Sequence, residues 1–239
     1  MFMELKVIAY ARNGFSQKFG IPRQSRDNSQ IETHIIFTPA YRVREALRGV
    51  EDYSHLWLIW GFHEVMKPAA CEMKGGELDW SPTVRPPRLG GNKRMGVFAT
   101  RSPFRPNPIG LTSVKLLRVE DTQDNGLVLV VSGADLLDGT PIYDIKPYLA
   151  FSDSHPLAKS GFAEATQDYR LEVQVDEALL QDVLRLGCPW MALKEILSQD
   201  PRPAYQNIPE RVYHLDYDDW TLDFQVADAT VCVKKIVKK

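Results

Sequence analysis

Residues 101–110, Arg-Ser-Pro-Phe-Arg-Pro-Asn-Pro-Ile-Gly, place Pro103, Pro106 and Pro108 within a stretch of six positions. Each proline locks its own φ and pushes the residue before it towards extended backbone, so neither a helix nor a central strand can pass through. The stretch therefore forms an extended, nearly rigid loop before any ligand arrives, and its ordering cost is met ahead of binding. The prolines donate no N–H, while their carbonyls can still accept. Gly110 stands where the apolar run "LTSVKLLRV" begins and permits close backbone approach there. Arg101 and Arg105 on such a frame are pre-aimed forks for a phosphate or a carboxylate.

The positive character extends beyond that loop. From Thr83 to Ile109 the chain carries Arg85, Arg88, Lys93, Arg94, Arg101 and Arg105, with no acid among them. The 239-residue chain as a whole has 29 basic and 31 acidic residues and a net charge of -2, so any nucleic-acid site must be local. Gly90 and Gly91 interrupt "VRPPRLGGNKR", as expected of a basic loop that closes over a substrate. Cys71, Cys188 and Cys232 lie far apart with no C-x-x-C pair, which excludes a disulfide framework and leaves no zinc-ligand pattern. No metal is expected, and a reducing, cytoplasmic setting fits. The first residues lack the basic-then-apolar order of a signal peptide, and "LWLIWGF" is too short to span a bilayer.

The fold class that emerges is mostly β. "ELKVIAYAR" alternates apolar and polar residues and leaves through Asn13-Gly14 into a polar, basic loop, "FSQKFGIPRQSRDNSQ", read as functional. "YRVREALRGVEDYSH" has helical spacing at Val43, Ala46, Leu47 and Val50. "LWLIWGFHEV" reads as a strand buried on both faces, and "SPTVRPPRLGGNKRMG" as a long loop. Further strands are expected at "MGVFATR", "LTSVKLLRVE", "GLVLVVSGADL" and "PIYDIKPYL". Many short strands with few helices imply a barrel or sandwich. The small, polar "FSDSHPLAKSGFAEATQ" is a linker. After it come a strand at "YRLEVQV", a helix between Asp176 and Gly187, a second helix opened by Pro189, and three antiparallel strands. The expected organisation is a β-barrel domain over 1–153 and a small α+β domain over 154–239.

At "RMGVFATRSPFRPNPIGLT" the chain resembles the TrmO, or TsaA-like, family. The resemblance continues through "IPRQ", "YSHLWLIWGFHE", "SPTVRPPRLGGN", "DLLDGTPIYDIKPYL" and "SQDPRPAY", and so covers most of the sequence. It implies an S-adenosylmethionine-dependent tRNA N(6)-adenine methyltransferase acting on threonylcarbamoyl-adenosine just 3′ of the anticodon. It also implies a small single-sheet β-barrel catalytic domain and a homodimer sharing its cofactor site. The absence of a G-x-G-x-x-G turn between a strand and a helix agrees with a barrel rather than a doubly wound fold.

The resemblance maps cofactor contacts onto Arg23, Gln24, His63, Glu64, Arg101, Leu111, Gly133, Ala134 and Asp135. Taken alone, His63 at the end of an apolar strand reads as a satisfied core histidine. Methyl transfer depends chiefly on in-line positioning, yet the N(6) proton must leave, so a general base helps. Asp135, Asp138, Asp144 and His63 are the candidates. Arg101 or Arg105 would hold the threonyl carboxylate. Arg85, Arg88, Lys93 and Arg94 would track the anticodon-loop phosphates. Arg202 and Tyr205 of "DPRPAY" either brace the anticodon arm or serve the fold, and the terminal "KKIVKK" reads as a solvated strand edge. Two other classes share these residues: a non-catalytic RNA-binding module, and a small-molecule transferase for anionic ligands.

Overall fold

The computed structural model describes residues 4–22, 29–65, 80–86, 93–166, 169–202 and 208–239. Six strands form one antiparallel sheet: β1 (Ala9–Arg12), β2 (Glu32–Phe37), β3 (His55–Gly61), β6 (Ile109–Thr122), β7 (Gly126–Ser132) and β8 (Pro141–Pro147). They pair in the order β1-β2-β7-β6-β3-β8, and Ala9 and Tyr10 of β1 pair with Ile142 and Pro141 of β8, so the ring closes. Inward positions alternate along each strand, as a half-buried sheet requires. Ala9, Ala11, Ile35, Leu56, Leu58, Val114, Leu129, Val131 and Ile142 fill the interior.

The register fixes which connections share an end. Trp60 is opposite Gly110 and also pairs with Ile142, while Ser132 pairs with Glu32. The connections 13–31, 62–108 and 133–140 therefore all leave the same rim of the barrel. Two short strands, β4 (Thr83–Val84) and β5 (Met95–Gly96), pair as a ribbon within the second connection. Beyond the barrel, a four-stranded sheet has the order β10-β11-β12-β9, from Tyr213–Tyr217, Trp220–Ala227, Thr230–Lys238 and Glu172–Gln174. Its two principal helices are α2 (Glu177–Arg185) and α3 (Trp190–Ser198); a short α1 (Ala150–Asp153) follows the barrel. Asp176 caps α2 by accepting the Leu179 N–H at 3.0 Å, and Gly187 takes φ +80° just beyond its end, where a left-handed residue is needed.

The mostly β expectation holds, with three differences in detail. The helix expected across residues 41–55 is three separate 3₁₀ turns, Pro39–Tyr41, Arg44–Leu47 and Val50–Asp52. Gly49 at φ +83° breaks the spacing that the sequence offered. Strand β2 was not anticipated, although Thr33, Ile35 and Phe37 alternate inward along it. "MGVFATR" is strand only at Met95–Gly96 and then turns through Val97–Ala99, with Arg101 and the prolines beyond. The Gly90-Gly91 tip falls outside the described residues.

The core of the second sheet takes in residues from the barrel half of the chain. Phe15 and Ile31, at the two ends of the first rim connection, lie fully buried in the apolar cluster of the second sheet with Leu193, Ile196, Leu197, Leu215 and Phe224. Phe15 meets Tyr217 edge-on, at a ring separation of 5.1 Å. The Phe15 carbonyl also accepts the Asp138 N–H at 2.9 Å, so the same residue fastens the third rim connection. We expect Phe15→Ala to lower unfolding stability by about 3–5 kcal/mol, since deletion of a buried ring leaves a cavity as well as lost burial. Denaturant titration followed separately by Trp fluorescence and far-UV circular dichroism checks this.

Candidate active site

Three of the quoted stretches meet at the rim through backbone and side-chain bonds. Phe62 N–H donates to the Pro108 carbonyl at 2.9 Å, laying "FHE" against "PNPIG". Lys18 reaches Glu64 at 3.6 Å, and His63 Nε2 is 3.9 Å from the other Glu64 oxygen. These are exposed pairs of small energetic value, but they place the first rim connection beside the second. Arg105 donates through one terminal nitrogen to the carbonyls of Thr100, at 3.1 Å, and Val97, at 3.4 Å. Its guanidinium thus clamps the proline loop onto its own start and is held in a set direction.

Asp135 is where the second and third connections meet. Gly110 lies against Trp60 so closely that a Cβ at position 110 would stand 2.2 Å from the indole. Only glycine leaves room for that ring. The indole N–H, which can only donate, gives its hydrogen bond to Thr112 Oγ1 at 3.0 Å, and the Thr112 hydroxyl donates to Asp135 Oδ1 at 2.8 Å. Burial pushes the Asp135 carboxyl above the ordinary carboxylate range; the Thr112 hydrogen bond, its own backbone N–H and the Arg101 charge act against that rise. Gly133 at φ +80° makes the turn that presents it, and the Ala134 methyl is buried in the barrel core.

Other candidates fall elsewhere. Asp138 accepts from Arg12 at 3.1 Å and from the Asn13 N–H at 3.1 Å. It braces the first rim connection against the third, and its side chain remains about one-third exposed. Asp144 pairs with Lys146 at 2.8 Å on β8. Leu111 sits between Gly110 and Thr112, so strand alternation turns it to the outer face, where it is 55% exposed. Arg202 is buried and engaged by Asp200 at 2.8 and 3.0 Å, which favours the second of its two readings, a role in the fold, over an RNA contact. Arg85, Lys93 and Arg94 are exposed beside the β4–β5 ribbon, and Arg94 donates to Thr83 Oγ1 at 2.9 Å. Arg23, Gln24, Arg88 and Tyr205 lie outside the described residues. Thr112 and Trp60 were not singled out from sequence; the G-x-T spacing on one strand face was the available signal. Among the described residues no group of three or more His, Cys, Asp or Glu could hold a metal ion, and no helix is long and apolar enough to cross a membrane.

A closed antiparallel barrel with a half-buried carboxylate and arginine-bearing loops at one rim defines a class of barrel domain distinct from doubly wound nucleotide binders. Residues 10–154 match the model of the tRNA-methyltransferase O N-terminal domain, and residues 166–239 match that of the TrmO C-terminal domain. The chain therefore belongs to the TrmO family. It is 40% identical over 234 residues to a tRNA (adenine(37)-N6)-methyltransferase of Escherichia coli K12, covering 95% of this chain and 94% of the relative. It is 44% identical over 189 residues to a protein of the same name from Eikenella corrodens, covering 77% of this chain and 97% of that one. A crystal structure of TrmO from P. aeruginosa superposes with a TM-score of 0.76 at 31% identity, over 100% of this chain and 98% of the other.

The raised carboxyl at position 135 makes a signed prediction. The folded chain holds that proton more tightly than the unfolded one, so the group detracts from stability as pH rises through the ordinary carboxylate value towards the raised folded value. Asp135→Asn retains an acceptor for Thr112 and removes the buried charge. Its melting temperature should exceed that of the wild type at neutral pH, and the gap should close below about pH 4. Parallel thermal melts across pH read this directly.

Proposed function

We propose that this protein transfers a methyl group from S-adenosylmethionine to N(6) of the adenosine at tRNA position 37. The observation that carries the reading is the joining of "FHE" to "RSPFRPNPIGLT" through Phe62 and Pro108, and of that stretch to "SGADL" through Thr112 and Asp135, in a chain whose relatives bear that activity in their names. The catalytic unit is the barrel, 1–153, with 154–239 as a second unit.

The residues present suit the cofactor. Asp135 and Arg101 offer opposite charges for its amino and carboxylate ends, and the Gly133-Ala134 turn brings backbone close enough for an adenine edge. Arg23, Gln24, His63, Glu64 and Leu111 complete the proposed contact set. When bound, the cofactor supplies an electrophilic methyl on a sulfonium, which departs with the S–C electron pair as a neutral thioether. Asp135 accepts the proton that N(6) gives up, and burial raises its affinity for that proton above that of an ordinary carboxylate. Arg105, anchored by two carbonyls, turns its guanidinium towards a threonyl carboxylate, so the favoured substrate is threonylcarbamoyl-adenosine. Arg85, Arg88, Lys93 and Arg94 follow the anticodon-arm backbone. The apolar surface of Phe98, Phe104 and Leu111, exposed by 74%, 63% and 55%, suits a second copy of the chain, and the working form is a cytoplasmic homodimer.

Incubation with labelled S-adenosylmethionine and tRNA, with or without the threonylcarbamoyl group, followed by nucleoside mass analysis, tests the reading. Label is expected on the modified adenosine alone; tight tRNA binding with no label on either tRNA would instead favour a binding module. Arg94→Ala is expected to weaken tRNA binding for all tRNAs alike and to reduce the slope of log affinity against log salt by about one, as loss of a single phosphate contact does. Binding titrations at several salt concentrations supply that slope.

A further inference from the structure

The end of the proline loop does more than lead into a strand. Gly110 and Thr112 are two residues apart on β6, so both face the barrel interior, and Trp60 on β3 lies directly across from Gly110. The missing Cβ at 110 admits the indole, whose N–H then reaches along the strand to Thr112 Oγ1. Trp60 and Thr112 are both buried, so water does not compete for these bonds. An indole N–H cannot accept. The hydroxyl oxygen therefore accepts there with one of its lone pairs, and its proton is directed to the accepting Asp135 Oδ1.

We infer that Thr112, oriented by Trp60 across Gly110, is a positioning residue for methyl transfer: by directing its hydroxyl proton to Oδ1 it keeps the Asp135 carboxyl a charged hydrogen-bond acceptor. The inference rests on Asp135 being the proton acceptor of the proposed reaction. A donor directed at a carboxylate favours its charged form, so Thr112 opposes the rise in proton affinity that burial causes. The surroundings name few competitors. Among the described residues, β6 presents Thr112 to the carboxyl with Trp60 of β3 behind it, its own turn supplies a backbone N–H, and the charge acting on it is Arg101 from the rim loop.

The test uses the full-length chain and two readouts. Carbon-13 NMR titration of aspartate carboxyls, with Asp135→Asn to assign the resonance, follows Asp135 without any reaction. Single-turnover methyl transfer to modified tRNA, at saturating cofactor and RNA, follows the pH profile. Thr112→Val is expected to move the Asp135 midpoint and the acid limb of the rate upward together by about one pH unit, as loss of one donor to the charged form does. The rate on the acid limb then falls about tenfold while the alkaline plateau and tRNA affinity stay near wild type. Thr112→Ser should restore both readouts, and Trp60→Phe should shift them in the same direction by less. An unmoved midpoint, a loss of rate equal at all pH values, or a serine variant that behaves like valine would overturn the inference. Wild-type protein that transfers no methyl at any pH would overturn the functional reading instead, and the titration would still decide whether Thr112 governs Asp135.

Discussion

Closure of the barrel by β1 against β8 is the constraint on which everything else depends. Ala9 pairs with Ile142 and Tyr10 with Pro141 along that seam, and backbone bonds from Ile8 to Ile142, from Ala11 to Thr140 and from Gly139 to Ala11 extend it. Proline at position 141 is admissible because it begins its strand, where a missing N–H costs least. Once the ring is closed no strand of this sheet is left as an edge, and three connections from distant parts of the sequence are brought to one rim. The chemistry-bearing residues come from those connections; the strands supply direction, and in Thr112 and Trp60 they also supply contacts.

The second sheet shares in this arrangement. Phe15 and Ile31 belong by sequence to the barrel half, yet their side chains complete the core around α3 and β10–β12. The connection between them starts and ends inside another hydrophobic core, which holds it far more firmly than exposed pairs such as Lys18–Glu64 could. Asn13 extends the tie, with its side-chain amide on the Leu136 carbonyl and Thr33 and its backbone on Asp138. Position 135 is consequently secured from two directions, by Thr112 on the barrel wall and by the Asn13–Phe15 turn on the side of the second core.

Rigidity at the rim is distributed by chemistry. Pro103, Pro106 and Pro108 stiffen the loop covalently, Arg105 clamps it through two carbonyls, and the Phe62 N–H to Pro108 bond pins its end. A site in this state spends little ordering free energy when its ligand arrives. The raised proton affinity of Asp135 runs in the other sense: the chain tolerates a half-buried acid that detracts from its stability, as functional sites commonly do.

The sequence by itself determined the elements whose cause is local. Proline and glycine placement set the rigid loop and the end of α2, Asp176 set its start, and two-residue alternation set most strands, because each of these acts through neighbouring backbone. The same reasoning placed the basic run and, through the family resemblance, the stretches around the rim. Tertiary structure decided what depends on partners far away in sequence. Arg202 and Asp138 are candidate functional residues in a linear reading, and only folding shows the first buried on Asp200 and the second tied to Arg12 and Asn13. Residues 41–55 had helical spacing, but a left-handed Gly49 divides them, and they settle as short turns with Tyr41, Leu47 and Val50 against the barrel core. Thr112 and Trp60 are 52 positions apart, and their joint hold on Asp135 exists only because β3 and β6 are neighbours in register and position 110 has no side chain.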